Sequence, residues 1–233
     1  FSVSGTVSVP TTIPPTTTTT TVLSNICGDP GIAKTVPCVV PAGVELVELD
    51  WKAKVTVYGT ITGDLEVNGG SVTVEGDVGG RITQKGVGDV TVSLGATVGD
   101  GIKEDGNGSV VIDGNVAGKV EEKDQGSLII GVGGVVDDAK ESGSGNLRVE
   151  GIVEKKAEEK DDGKLIIGVG GVVRDAKESG SGNLRVEGTV EKKAEENDDG
   201  DLIIGADGVV GSAKESDAGD LLCEIPSAPG ACP

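Results

Sequence analysis

The amino-acid sequence predicts an all-β protein, a triangular parallel β-helix (β-solenoid) of about nine layers with disulfide-bearing caps and an extended N-terminal strand. First, residues 127–163 recur at 164–200 with four substitutions in 37 positions, and a third copy begins at residue 201. Such a fixed period is typical of solenoids. Second, Val, Ile and Leu recur on short segments between Gly-rich corners. Third, with three aromatic residues, the chain needs a thin, layered aliphatic core.

Composition divides the chain into five segments: an N-terminal donor strand (1–9), a Thr/Pro-rich linker (10–21), an N-terminal cap (22–53), the β-solenoid (54–219) and a C-terminal cap (220–233). Solenoids need caps because an open end exposes apolar core and strand edge. Each 37-residue repeat spans two layers of 18 and 19 residues. The predicted layers begin at Lys54, Ser71, Asp89, Ser109, Ser127, Asn146, Lys164, Asn183 and Asp201.

The first nine residues alternate apolar and polar side chains, which indicates a half-buried strand. Its apolar face consists of Phe1, Val3, Val7 and Val9. A lone strand is unstable, so either its own domain or a neighbouring subunit must pair with it, and we expect the neighbour, by strand addition. The linker that follows is either a bare spacer or an O-glycosylated one, with candidate sites at Thr16, Thr17, Thr18, Thr19, Thr20 and Thr21.

Four cysteines form two local pairs, Cys27 with Cys38 and Cys223 with Cys232. No histidine accompanies them, so disulfides in a secreted protein are favoured over a metal site, with four free thiols as the alternative. Asn107 begins a glycosylation sequon at a layer corner. The absence of Met and the scarcity of Gln, beside abundant Lys and Glu, favour a thermophilic source.

Charge and hydropathy exclude two classes of partner. A net charge of −19 argues against nucleic acid, whose phosphates would be repelled. There is no run of about 18 apolar residues, so no membrane span is expected. The chain also lacks a nucleophile–base pair and a phosphate-binding loop, so we do not expect an enzyme.

Aligned layers predict two charge ladders and one like-charged column on the third side of the triangle. The ladders alternate in sign: Lys103, Glu121, Lys140, Glu158, Lys177, Glu195, Lys214, and Lys119, Asp138, Lys156, Asp175, Lys193. Stacked opposite charges about 4.8 Å apart would fix the register. The column is Glu104, Glu122, Glu141, Glu159, Glu178, Glu196 and Glu215. We expect a solvated corner screened by lysines, with Ca²⁺ binding, at Glu141, Glu159, Glu178 and Glu196, as the alternative.

The layer pattern resembles bactofilins, in motifs such as VEGDVGGRI (residues 74–82) and IDGNVAGKV (residues 112–120). The resemblance covers residues 54–219 and implies a right-handed triangular β-helix that polymerises end to end without nucleotide. The cysteine pairs and the Thr-rich segment depart from that family.

These observations together favour a secreted structural subunit of a pilus-like filament, joined to copies of itself by the N-terminal strand. The alternatives are a cell-surface adhesin or binding module on a rigid solenoid stalk, with surface glycans or other cells as partners, and, more remotely, a polysaccharide-active enzyme. Apart from Ca²⁺ no cofactor is expected.

Overall fold

The computed structural model of the chain describes residues 25–224. They form an all-β parallel solenoid of about ten turns and contain no helix, which confirms the predicted fold class. No helix among them could therefore span a membrane. The predicted assembly strand (Phe1, Val3, Val7 and Val9), the linker residues Thr16 to Thr21 and Cys232 lie outside the described residues.

Twenty-five short strands make up the described chain. The first twelve are β1 (Cys38–Val40), β2 (Glu45–Leu46), β3 (Leu49–Trp51), β4 (Val55–Val57), β5 (Thr60–Ile61), β6 (Leu65–Asn68), β7 (Val72–Val74), β8 (Asp77–Val78), β9 (Ile82–Val87), β10 (Val90–Val92), β11 (Thr97–Val98) and β12 (Ile102–Asn107). The others are β13 (Val110–Ile112), β14 (Asn115–Asp124), β15 (Leu128–Ile130), β16 (Val135–Gly143), β17 (Leu147–Val149), β18 (Ile152–Asp161), β19 (Leu165–Ile167), β20 (Val172–Gly180), β21 (Leu184–Val186), β22 (Thr189–Asp198), β23 (Leu202–Ile204), β24 (Val209–Glu215) and β25 (Leu221–Cys223).

The strands stack into three parallel sides. The first side is one sheet in the order β1-β4-β7-β10-β13-β15-β17-β19-β21-β23-β25. In the early turns the second side (β2, β5, β8, β11) and the third side (β3, β6, β9, β12) are separate strands. From β14 to β24 one longer strand per turn forms both of these sides. Each strand is therefore bonded to the equivalent strand of the next turn.

The register places equivalent side chains directly above one another. On the first side Leu147 pairs with Leu165 and Leu165 pairs with Leu184. These leucines are fully buried, as are Val190 and Ala194 on the other two sides. Parallel stacking at about 4.8 Å repeats one small aliphatic set in every turn. The interior is therefore a thin aliphatic core, as the scarcity of aromatic residues predicts.

Residues 38–51, assigned from the sequence to the N-terminal cap, form a turn of the solenoid. Strands β1, β2 and β3 pair in register with β4, β5 and β6, and this turn raises the number from the predicted nine to about ten. Its corners lack the V-x-G-x-V pattern, which hides it in the sequence. Trp51 is 2% exposed and its Nε1 donates to the carbonyl oxygen of Val36 at 2.7 Å. Within the described chain, residues 25–37 therefore cover this turn, because Asn25 and Cys27 also bond to Val39 on β1.

Turns within the duplicated region alternate between two corner types. Residues 131–134 join β15 to β16, whereas residues 150 and 151 alone join β17 to β18. The register between β16 and β18 also shifts between Val136 and Ala139, where the two turns differ in length. The two-turn period of the sequence thus reflects alternating corner lengths as well as alternating charges.

Candidate functional site: a buried glutamate column

Six stacked glutamates line the interior of the third side, and we call them the glutamate column: Glu104, Glu122, Glu141, Glu159, Glu178 and Glu196. Each is 0% exposed, so the expectation of a solvated corner is wrong for these six. Pairing places Glu122 beside Glu141 and Glu159 beside Glu178 in register. Gln84 precedes the column, and the half-buried Glu215 follows it.

The period-two alternation of the strands predicts that these glutamates face inward, whereas their residue type suggests the surface. On β16 Ala139 points into the core, Lys140 points outward and Glu141 points inward again. Glutamate is almost never fully buried without a partner, so composition alone assigns it to the surface. The backbone alternates nonetheless, because neighbouring strands on both sides hold each residue in the pleat. A strict reading of the alternation would have placed the carboxyl groups inside.

The column carboxyl groups have few donors within the described residues. The backbone N–H of Gly145 donates to Glu141 Oε1 at 3.1 Å, and that of Gly163 donates to Glu159 Oε1 at 3.1 Å. Other buried oxygens of the column, such as Glu122 Oε1 and Oε2, receive no donor from the described chain. The carboxyl group of Glu141 is stacked between those of Glu122 and Glu159, one turn to either side. Two carboxylates both accept, so a bond between them requires a proton.

Burial raises the pKa of every glutamate in the column. For Glu104, loss of water and then the neighbouring charge of Glu122 raise the pKa to about 8. For Glu141 and Glu178, burial and then hydrogen bonding to adjacent glutamates raise the pKa to about 9 and about 10. The pKa of Glu159 is also raised, first by burial, although the Gly163 N–H opposes the shift. At the corners beyond, the negative charge of Asp124 further raises the pKa of Glu122, and that of Asp161 further raises the pKa of Glu159.

Repulsion between neighbouring carboxylates explains why protonation stabilises this column. Two carboxylates about 4.8 Å apart repel by roughly 3 to 4 kcal/mol at an effective dielectric constant of 20. An interior glutamate has such a neighbour on each side, so full ionisation would be costly. Protonation removes the charge and gives each carboxyl group an O–H donor. At neutral pH the column is therefore largely a chain of neutral carboxylic acids.

A metal centre finds little support in this geometry. No group of three or more His, Cys, Asp or Glu side chains within residues 25–224 is arranged to hold a metal ion. Cation ligands must be deprotonated, which the raised pKa values oppose. Calcium binding at Glu141, Glu159, Glu178 and Glu196 stays a prediction, to be tested by titration.

The two charge ladders lie on the outer surface beside the column. The ladder through Lys140 keeps the predicted register throughout, whereas the second ladder is interrupted between Asp138 and Lys156 by a register shift. Lys140 pairs with both Glu121 and Glu158 across the strands. Lys140 Nζ lies 3.4 Å from Glu121 Oε1, and Lys119 Nζ lies 3.1 Å from the same oxygen. Burial acts to raise the pKa of Glu121, but Lys119, Lys123 and Lys140 together lower it. Adjacent glutamates on one strand therefore differ: the pKa of the outer Glu121 is lowered, whereas burial raises the pKa of the inner Glu122 to about 7.

The remaining predicted sites lie at corners and ends. Cys27 and Cys38 form the expected disulfide, with a Cα–Cα distance of 5.0 Å. Cys223 lies on β25, whereas its predicted partner Cys232 is outside the described residues. Asn107 ends β12 and is exposed, so the sequon is accessible to a glycosylating enzyme.

No protein-family model, curated protein or solved structure matches the chain. The resemblance to bactofilins is thus limited to the parallel β-solenoid architecture, without support for membership of that family.

Proposed function

We propose that this protein is a structural subunit of an extracellular, pilus-like filament, polymerising through exchange of its N-terminal strand with the neighbouring subunit. A β-solenoid scaffold fits a structural or binding role. The observation that carries the proposal is the contrast between the two ends of the described rod. One end is covered by a disulfide-bonded loop, whereas the other ends in strands with half-exposed apolar side chains.

Rigidity of the rod supports a load-bearing role. Every turn is hydrogen-bonded to the next along the rod axis, on the first side without interruption from β1 to β25. Pulling on the ends would load many such bonds together. Ten turns at about 4.8 Å give a rod roughly 48 Å long. End-to-end joining of such rods would produce a thin, stiff filament.

An oxidising, exposed location agrees with the same features. The Cys27–Cys38 disulfide is the kind of crosslink that persists outside the cytoplasm. The exposed Asn107 sequon would carry a glycan there, and the threonines at 16–21, which lie outside the described residues, are further candidates.

Electron microscopy of the purified full chain tests the proposal. We expect unbranched filaments with an axial repeat close to the rod length, about 50 Å. Deleting residues 1–9 should leave single rods that still melt as solenoids. Single rods from the full chain under all assembly conditions would contradict the filament and favour a stalk for a binding module. Filaments from the deletion variant would contradict strand exchange.

A further inference from the structure

The second side of the rod changes its outward face from polar to aliphatic. In the early turns the first outward position of this side is polar, in the register Glu45, Thr60, Asp77, Thr97 and Asn115. From β16 to β20 the same position holds Val135, Ile152 and Val172. Ile152 is 43% exposed, and the two valines are half-buried. The solvent face of a sheet is ordinarily polar, so an aliphatic column there marks a contact surface.

A ridge of exposed valines borders this face, at the corner between the first and second sides. Val132 and Val169 lie at the tips of the four-residue corners 131–134 and 168–171, and they are 80% and 69% exposed. The turn between them has the shorter, two-residue corner 150–151. The two valines therefore stand on either side of a groove that spans two turns, about 10 Å along the rod.

An earlier corner shows that an aliphatic tip can occupy such a groove. Leu94 extends from its own corner to the second corner after it, because a Cβ atom added to Gly133 would lie 2.6 Å from Leu94 Cδ1. At the equivalent glycine of the next long corner, Gly170, an added Cβ atom would meet only the carbonyl oxygen of Glu150, at 4.0 Å. Within the described residues, no side chain of the same rod therefore fills the groove over Glu150.

Charges on the same face balance, although the whole chain carries a net charge of −19. On β16, β18, β20 and β22 every residue between the inward valine and the inward alanine is charged. Five are acidic (Asp137, Asp138, Glu154, Asp175 and Glu191) and five are basic (Lys155, Lys156, Arg174, Lys192 and Lys193). A neutral strip on a strongly acidic rod is the place where a second acidic rod can approach with least repulsion.

Arg174 interrupts the internal repeat on this face. It stands where the first copy of the repeat has Asp137, whose carboxylate lies 2.8 Å from Lys155 Nζ. Arg174 is exposed and forms no salt bridge or hydrogen bond with another residue of the described chain. An exposed cation beside an aliphatic column is suited to a carboxylate on another molecule.

We propose that the second-side face of β16, β18, β20 and β22, which we call the lateral strip, binds the lateral strip of a second, antiparallel copy of this chain. A two-fold axis between the turns of β18 and β20 places Ile152 opposite Val172 of the second copy. It also places Glu154 opposite Arg174 of that copy. An aspartate at position 174, as in a perfect repeat, would instead put two carboxylates face to face.

The same axis makes the corners complementary in shape. It sets each long corner opposite a short corner of the second copy, so that Val169 enters the groove over Glu150 there, and the reverse contact forms by symmetry. A parallel second copy, turned about the rod axis, would exchange the two outward columns of the face and set Ile152 opposite charged side chains. The antiparallel arrangement is therefore the one that matches both charge and shape.

The size of the lateral strip decides when it is used. Four turns of about 4.8 Å and five residues of about 3.3 Å give a footprint of roughly 300 Å². Stable complexes bury about 800 Å² on each partner, so one contact between single rods is weak. In a filament the contact recurs at every subunit and gains from multivalency. The inference thus rests on the proposed filament and adds that two antiparallel filaments associate side by side.

Electron microscopy of full-chain filaments tests the lateral strip. We expect parent filaments to form side-by-side pairs of opposite polarity. Arg174→Glu should lower the paired fraction at least about tenfold, whereas Lys164→Glu, the same charge change at an exposed corner outside the strip, should lower it less than about twofold. Combining Glu154→Arg with Arg174→Glu exchanges the facing charges and should restore pairing. Pairs that tolerate Arg174→Glu, or parent filaments that stay single, would overturn the lateral strip and leave the filament standing.

Photo-crosslinking tests the contact even if no filament forms. Ile152→p-benzoylphenylalanine places a photoreactive group on the lateral strip, and Thr97→p-benzoylphenylalanine, on the second side of an earlier turn, is the control. In mixed ¹⁴N and ¹⁵N chains at about 1 mM, where even a millimolar Kd populates pairs, position 152 should crosslink to the segment around Val172 of a different copy. Position 97 should not. Single rods that give this crosslink would overturn the filament alone, and rods that give none would overturn both proposals.

Discussion

The first three turns and the duplicated turns share one fold and differ in what fills the third side. In the early turns that position holds Trp51, Val67 and Gln84, which are large, apolar or neutral. From Glu104 onward the same position holds a buried glutamate. A parallel solenoid therefore tolerates an acidic interior column, provided that protons neutralise it.

The difference also shows in how each region obtains its stability. Trp51 fills the first turn with one large side chain and one hydrogen bond to Val36. The duplicated turns combine smaller alanines, such as Ala157 and Ala176, with stacked carboxyl groups, two of which accept from glycine N–H groups. The stability of the early turns should not depend on pH, whereas the stability of the duplicated turns should.

The largest expected effect is the pH dependence of unfolding. A folded pKa raised above 4.5 contributes stability that is complete below pH 4.5 and is lost as pH rises through about 7 to 10. From pH 5.5 to pH 9 we expect the melting temperature to fall by at least about 10 °C, measured by circular dichroism. Replacing Glu141, Glu159 and Glu178 by Gln together should remove more than half of the fall. The outward triple change of Glu121, Glu158 and Glu195 to Gln is the control and should keep it.

Trp51→Ala should destabilise the first turn by about 3 to 5 kcal/mol, because it leaves a cavity and removes the bond to Val36. Trp51→Phe keeps most of the packing and should cost about 1 to 2 kcal/mol. Denaturant melts at pH 5.5 and pH 9 provide the measurement. A cost that depends on pH would contradict the separation of the two regions.

Gln84→Glu should extend the pH-sensitive column by one turn. We expect a cost of about 1 to 3 kcal/mol at pH 9 and almost none at pH 5.5, since the added carboxyl group is buried beside Glu104. Glu104→Gln removes a carboxyl group from the same end of the column and should stabilise the protein at pH 9. An equal cost of Gln84→Glu at both pH values would show that size, and not charge, limits this position.

Lys140→Glu should cost about 1 kcal/mol at low salt, because it places three negative side chains in succession on the outer ladder. Added NaCl at about 0.5 M should reduce the cost by screening. Lys164→Glu, at an exposed corner outside the ladders, is the control with the same charge change. Equal effects of the two changes would rule out a specific role for the ladder.

Calcium should have the smallest effect. At pH 5.5, where the column is protonated, we expect CaCl₂ or EDTA to shift the melting temperature by less than about 1 °C. The same titration at pH 9 examines the partly ionised column. A large stabilisation by calcium at pH 9, lost in the Glu159→Gln and Glu178→Gln double variant, would reinstate the metal site.

The architecture was predictable because it depends on local repetition. Equivalent residues such as Leu147 and Leu165 recur with the period of the backbone, so alignment of the sequence with itself gives the strand register. The charge ladder through Lys140 and Glu158 follows from the same alignment. The Cys27–Cys38 disulfide was predictable from proximity in the chain.

The glutamate interior and the turn at residues 38–51 were harder to predict. Residue type suggested a surface for Glu159, although alternation along its strand places it inside. The first turn has Trp51 where later turns have Val67, Gln84 or a glutamate, so it does not align with the repeat. Both differences depend on what lies above and below each turn.

The sequence by itself determined the parallel solenoid, its two-turn period, the ladder register and the N-terminal disulfide, because each follows from spacing along the chain. Only the tertiary structure decided that the glutamates are enclosed, that they have raised pKa values, and that the two ends of the described rod differ. Burial and strand edges depend on the turns stacked on either side, and such contacts exist only once the chain has wound.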